Sequence, residues 1–147
     1  MKNSILVALN DSVSSRKALE FMFRYSILSK DAYLTLLHVF RKPSAGQDLM
    51  GEKFMSQQPA RFQNFLEDIR NRFVQNGYRP ERIEIKLTTE PYATATEGII
   101  DQFNKGNYHM VVLGRKRMSK AEEFVLGDVG VKLVRALEGV AILVVKA

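Results

Sequence analysis

Five short apolar runs alternate with four stretches whose apolar residues recur every three or four positions, and this alternation limits the chain to very few folds. Residues 5–9 (ILVAL), 34–40 (LTLLHVF), 108–113 (YHMVVL) and 140–145 (VAILVV) are nearly continuous apolar segments, as expected of strands covered on both faces. Residues 83–87 (IEIKL) alternate apolar with charged, which describes a strand with one wet face at a sheet edge. Between them, Ala18, Leu19, Met22 and Phe23 form one helical stripe, capped by Ser12 or Ser14. Phe62, Phe65, Leu66, Ile69 and Phe73 form a second, ended by Gly77. Thr94 and Glu97 have capping-box spacing ahead of Ile99, Ile100 and Phe103, and Val129, Leu133, Val134 and Leu137 mark a last helix ended by Gly139. Strict alternation of this kind predicts one doubly wound, Rossmann-like α/β domain over residues 1–147, with a five-stranded parallel sheet and helices on both faces. The polar stretch 41–59, with Pro43, Gly46, Gly51 and Pro59, reads as a flexible loop.

Such a chain has enough apolar content, 46%, to bury a core without covalent staples, and it contains no cysteine. Disulfide scaffolds and thiolate metal sites are therefore excluded, and His38 and His109 stand in no metal-binding spacing. The first apolar run is too short for a signal-peptide core and no run approaches a membrane span, so a soluble cytoplasmic protein is expected. The net charge is +6, and Arg115, Lys116, Arg117 and Lys120 supply four of those charges. No aromatic residue is interleaved with them and Glu122 and Glu123 follow, so nucleic acid is disfavoured, and the cluster reads either as a grip on an anionic small ligand or as a solvated loop.

In a doubly wound fold, chemistry belongs at the carboxyl ends of the strands near the switch point, which points to the loops after Leu9, Phe40 and Leu113. After Leu9 comes Asn10-Asp11-Ser12-Val13-Ser14-Ser15, which lacks the glycines of a P-loop or dinucleotide fingerprint. Asn10 and the serines suit a helix cap, or Asn10 offers its amide to a ligand. After Leu113 the chain carries Gly114, then Gly127-Asp128-Val129-Gly130 opening a helix whose free N–H groups suit an anion.

ILVALNDS at the start, LLHVF on the second strand, and VVLG, Gly127-Asp128 and AILVV towards the end resemble the universal stress protein family over essentially the whole chain. In its nucleotide-binding branch the resemblance implies a Gly-x2-Gly-x9-Gly-(Ser/Thr) segment holding the phosphates and ribose of ATP. An Asp after the first strand and backbone at the end of the second would hold the adenine. Here the spacing is intact, but Arg117 replaces the second glycine, Asp128 the hydroxyl residue, and Asn10 the aspartate. The candidate pocket by this resemblance comprises Leu9, Asn10, Val39, Leu113, Gly114, Arg117, Gly127, Asp128, Val129 and Gly130. Arg117 puts a side chain where backbone would meet phosphate, and Asp128 repels phosphate oxygens. The expectation is a regulatory or stress-response binding module with a degenerate nucleotide pocket, no cofactor and no catalysis. ATP binding with slow hydrolysis or phosphotransfer is the alternative.

His38, inside an apolar strand, reads as a hydrogen-bonded core residue, and His109 likewise; Ser12, Ser14 and Ser15 have no base beside them. The end of the third strand, Thr88-Thr89-Glu90, lacks the aspartate a receiver domain needs. By the resemblance, the last strand, with Val140 and Val145 at its ends, lies at the sheet edge and pairs with a second copy. An exposed apolar edge would otherwise invite aggregation, so a homodimer is expected.

Overall fold

The computed structural model describes residues 3–10, 12–26, 28–40, 52–88, 90–116, 119–121 and 129–147. Its strands are β1 (Ser4–Ala8), β2 (Tyr33–His38), β3 (Ile83–Leu87), β4 (Met110–Arg115) and β5 (Ala141–Lys146). Its helices are α1 (Val13–Tyr25), α2 (Glu52–Gln75), α3 (Ala95–Lys105) and α4 (Val129–Ala136), with a 3-10 turn at Pro80–Arg82. All strand pairings are parallel and the sheet order is β3-β2-β1-β4-β5. The doubly wound α/β architecture expected from the alternation is therefore the one observed, with the alternating strand β3 at one edge and β5 at the other.

Each face of the sheet carries its own core. Ile5, Val7, Leu34 and Leu36 meet Leu19 and Met22 of α1 and Leu66, Ile69 and Phe73 of α2. Leu6, Ala8, Leu37 and Val111 meet Ile99 of α3 and Leu133 of α4 on the other side. Period-two alternation of Cβ directions sends neighbouring apolar residues of one strand to opposite cores, which explains why β1 and β2 contain no Asp, Glu, Lys or Arg. Leu6, Leu36, Leu66 and Phe73 are fully buried, and removing each from water contributes about 1.5–3 kcal/mol.

One expectation is corrected. The stretch read as a flexible loop over 41–59 contains the start of α2, which begins at Glu52 and has Pro59 inside it; residues 41–51 lie outside the described residues. Polar composition was the misleading signal, because Glu, Lys, Met and Gln are good helix formers. Proline removes one helical hydrogen bond, yet the apolar stripe from Leu66 to Phe73 anchors the helix to the sheet.

Candidate functional site

Because β1 lies between β2 and β4, the connections leave it in opposite directions, which puts the topological switch point, where doubly wound folds hold their ligands, at the carboxyl ends of β1 and β4. The start of α1 lies against this end of β4. Ser12 caps α1, its Oγ accepting from the Ser15 N–H at 3.3 Å. Asn10 makes a different contact from a cap. Its Oδ1 accepts from the Ser12 N–H at 2.9 Å and from the Ser15 hydroxyl at 3.0 Å, while its own N–H donates to Ser15 Oγ at 2.9 Å. A backbone N–H donates only to oxygen here, which fixes the orientation of the Asn10 carboxamide: the oxygen turns inward and the Nδ2 group remains on this exposed residue. Ser12→Ala is expected to lower stability by about 1 kcal/mol, read as a shift of the urea midpoint with unchanged slope.

Gly114 sits in β4 directly beneath the first turn of α1. A methyl group there would lie 2.0 Å from the Ser14 carbonyl oxygen and 2.9 Å from the Ser15 nitrogen. Its missing side chain admits the α1 backbone, so this glycine serves the packing of helix on strand. Ser14 and Ser15 are buried by the same contact.

At the end of β2 the ladder to β1 stops early. The Leu9 N–H donates to the Leu37 carbonyl at 2.8 Å, and continuation would bring the Val39 N–H to the Leu9 carbonyl. That carbonyl instead receives the Nδ1–H of His38 at 2.9 Å, with the imidazole stacked on Phe62 at 3.6 Å between ring centroids. Among the described residues, neither backbone polar group of Val39 has a hydrogen-bonded partner, although the residue is only 7% exposed. On the other side of β2 everything is paired: Thr88 N–H to the His38 carbonyl, Phe40 N–H to Thr88 Oγ1, and Tyr92 N–H to the Phe40 carbonyl. Gly98 of α3 lets the helix close on Val39, whose Cγ1 would stand 2.2 Å from an added methyl. Tyr92 is tied down by Asp101 and by Gln102 Nε2 at 3.0 Å. The Asp101 carboxylate, accepting a hydrogen bond from the phenol hydroxyl, raises the Tyr92 pKa above its ordinary value.

The structure therefore brings Leu9, Asn10, Val39, Leu113 and Gly114 to neighbouring strand tips. Val129 and Gly130 open α4, both half-buried. Arg117, Gly127 and Asp128 lie outside the described residues, as does Asp11. Of the basic cluster, Arg115 ends β4 and Lys116 follows it. His38 is 9% exposed and structural, and His109 Nδ1 accepts from the Ser4 N–H at 3.3 Å. Among the described residues no group of three or more metal-ligating side chains converges. Sequence reasoning missed Ser15 as the residue that locks Asn10, and Thr88 as the residue that terminates β2. A serine five residues after a strand-end Asx was the only available signal for the first.

Two open grooves flank β5. One, of about 460 Å³, is mainly apolar, with Val131 and Val134 of α4 beside Ile142 and Val144. The other, of about 570 Å³, runs along α1 past Phe21 and Tyr25 to Val145. Among the described residues no helix is long and apolar enough to cross a membrane.

The strand order and parallel pairing define a doubly wound α/β protein. The profile of the universal stress protein family matches residues 1–146, and the chain belongs to that family. Solved structures agree on the fold. A universal stress protein in complex with cAMP is 15% identical over 97% of this chain and 95% of its own, with a TM-score of 0.66. An Arabidopsis thaliana family protein with AMP bound is 19% identical over 98% and 91%, with a TM-score of 0.67. The Archaeoglobus fulgidus universal stress protein in complex with dAMP is 14% identical over 98% of both chains, with a TM-score of 0.60. No curated protein matches the chain.

Proposed function

We propose that this chain is a homodimeric stress-response binding module whose nucleotide pocket is degenerate toward ATP and which performs no catalysis of its own. The observation that carries the reading is the Asn10 side chain. Where the resemblance implies an aspartate accepting from adenine, this chain has an amide whose oxygen is already filled by Ser12 and Ser15. Arg117 and Asp128 add a bulky side chain and a carboxylate at the positions that the family pattern gives to glycine and a hydroxyl. A carboxylate close to a triphosphate is repulsive unless a cation intervenes. Solved structures of the same fold hold cAMP, AMP or dAMP, which supports a pocket of nucleotide type in this one.

Calorimetric titration with Mg-ATP is the test. A dissociation constant weaker than about 100 μM is expected, whereas a one-to-one site of micromolar affinity would overturn the degenerate pocket. The surviving spacing from Gly114 through Arg117 to Gly127 supports the second reading, an ATP-binding protein with slow hydrolysis or phosphotransfer. On that reading Arg117→Ala lowers affinity and turnover together. The dimer rests on β5, whose residues 142–145 are half-exposed at the sheet edge beside the apolar groove of α4.

A further inference from the structure

The groove of about 570 Å³ beside α1 gathers positive charge and aromatic surface in one place. Lys17, Glu20, Phe21 and Arg24 recur at spacings of three and four along α1, so they share one helix face, set apart from the buried Ala18, Leu19 and Met22. Leu143 of β5 packs into the core with α1, and alternation along the strand brings Val145 to the same face of the sheet, where it lines the groove. Among the described residues of the lining, Lys17, Arg24, Arg72 and Lys146 are cations and Glu20 is the one carboxylate, held by Lys17 at 3.7 Å. Like charges gathered on one surface raise a local potential that draws anions to it. Beside them Tyr25 is 55% exposed and stands 4.7 Å from Phe21 between ring centroids. Exposed apolar surface rimmed by charge is the mark of an interaction site.

We infer that this groove binds an acidic peptide segment of a partner protein, one in which carboxylates are interspersed with apolar side chains. Arg72 lies over the Phe23 ring at 5.0 Å and Arg24 over the Tyr25 ring at 5.5 Å. Guanidinium groups laid against rings are oriented in advance, and their planar fork matches a carboxylate with two parallel hydrogen bonds. An anion alone would leave Phe21 and Tyr25 in water, and an apolar ligand alone would leave the cations without a counter-charge, so both kinds of group belong on one ligand. Single-stranded nucleic acid is also an anion, but its bases need open ring faces on which to stack. Here the Phe23 ring is shared between Arg72 and Phe73, whose centroid is 4.8 Å away, and the Tyr25 ring between Arg24 and Phe21. A second copy is proposed for the other face of the sheet, where α4 packs, and among the described residues the linings of the two grooves share only Lys146.

The test is fluorescence anisotropy of a labelled Glu-Glu-Leu repeat peptide titrated with the full chain, with a Lys-Lys-Leu repeat and an oligo-dT strand of matched length as comparisons. The acidic peptide is expected to bind with a Kd below about 100 μM at low salt and more tightly than either comparison. Arg24→Glu is expected to weaken it about tenfold or more, because an attraction becomes a repulsion. Lys132→Glu makes the same charge change at an exposed position of α4 and is expected to alter the affinity by no more than about twofold. Arg24 is exposed, so its replacement spares the core. Arg24→Gln, which puts no acid at the C-terminal end of α1, is the second variant should the reversal disturb the helix, with an expected loss of about threefold. The inference is overturned if the acidic peptide does not bind, if oligo-dT binds more tightly, or if Arg24→Glu and Lys132→Glu lose affinity equally. A change of sedimentation mass in Arg24→Glu would also overturn it, by giving the groove to a second copy of the chain.

Discussion

Gly114→Ala is expected to destabilise the protein by about 3 kcal/mol, near the upper end of the cost of overpacking a filled site. The new methyl would stand 2.0 Å from the Ser14 carbonyl oxygen and 2.3 Å from its carbon, and both atoms are backbone. A flexible side chain could swing aside, but the first turn of α1 cannot. It is held by the Ser12 cap, by the Asn10 turn and by Ser15, all within six residues. Lower chain entropy in the unfolded alanine variant offsets only about 0.4–1 kcal/mol. For a chain of this size the net loss corresponds to a fall in Tm of roughly 10 °C. Gly139→Ala is the control: its φ of +66° is left-handed, but nothing lies within 4 Å of the added methyl, so its cost is about 1–2 kcal/mol of backbone strain. Urea unfolding of the two variants checks the difference. A loss for Gly114→Ala no larger than that for Gly139→Ala would mean that α1 slides on β4 without resistance.

That contrast shows what a sequence discloses and what it leaves hidden. The five strands and their helices were legible because two-sided burial forces nearly unbroken apolar runs, and one-sided burial of a helix forces the three-and-four spacing. The edge position of β3 was legible from Glu84 and Lys86 alone. The start of α2 was not, because its sequence is mostly polar and carries no three-and-four apolar stripe, and Pro59 looked like a boundary. At the switch point, Asn10 and Gly114 were legible as positions but not as roles. Which lone pairs of Asn10 are occupied depends on where Ser15 sits in the first turn of α1. Whether Gly114 makes room for a ligand or for a helix depends on how closely α1 crosses β4. The freedom of Val39 depends on His38 reaching the Leu9 carbonyl ahead of the ladder. Each of these is a relation between elements, and periodicity within one element carries no information about it.

The second large effect concerns β5. If a second copy pairs with this edge, Val134→Arg is expected to weaken the dimer by a hundredfold or more, measured by sedimentation equilibrium. Val134 is 65% exposed and Val131 46%, and both face the groove beside Ile142 and Val144. Covering such a valine contributes about 1–1.5 kcal/mol. In a two-fold assembly each substitution occurs twice, so the loss doubles to about 3 kcal/mol, or about a hundredfold in affinity. The new guanidinium adds repulsion, because the groove already carries Arg115, Arg135 and Lys146. Leu143 is a poorer place for the charge: it packs against the core shared with α1 and α2, so a charge there confuses dissociation with unfolding. Val134 touches solvent in the single chain, and its replacement leaves the core intact. A Val134→Arg protein that keeps the wild-type mass at micromolar concentration would move the interface away from the α4 groove and leave the free edge of β5 to another partner.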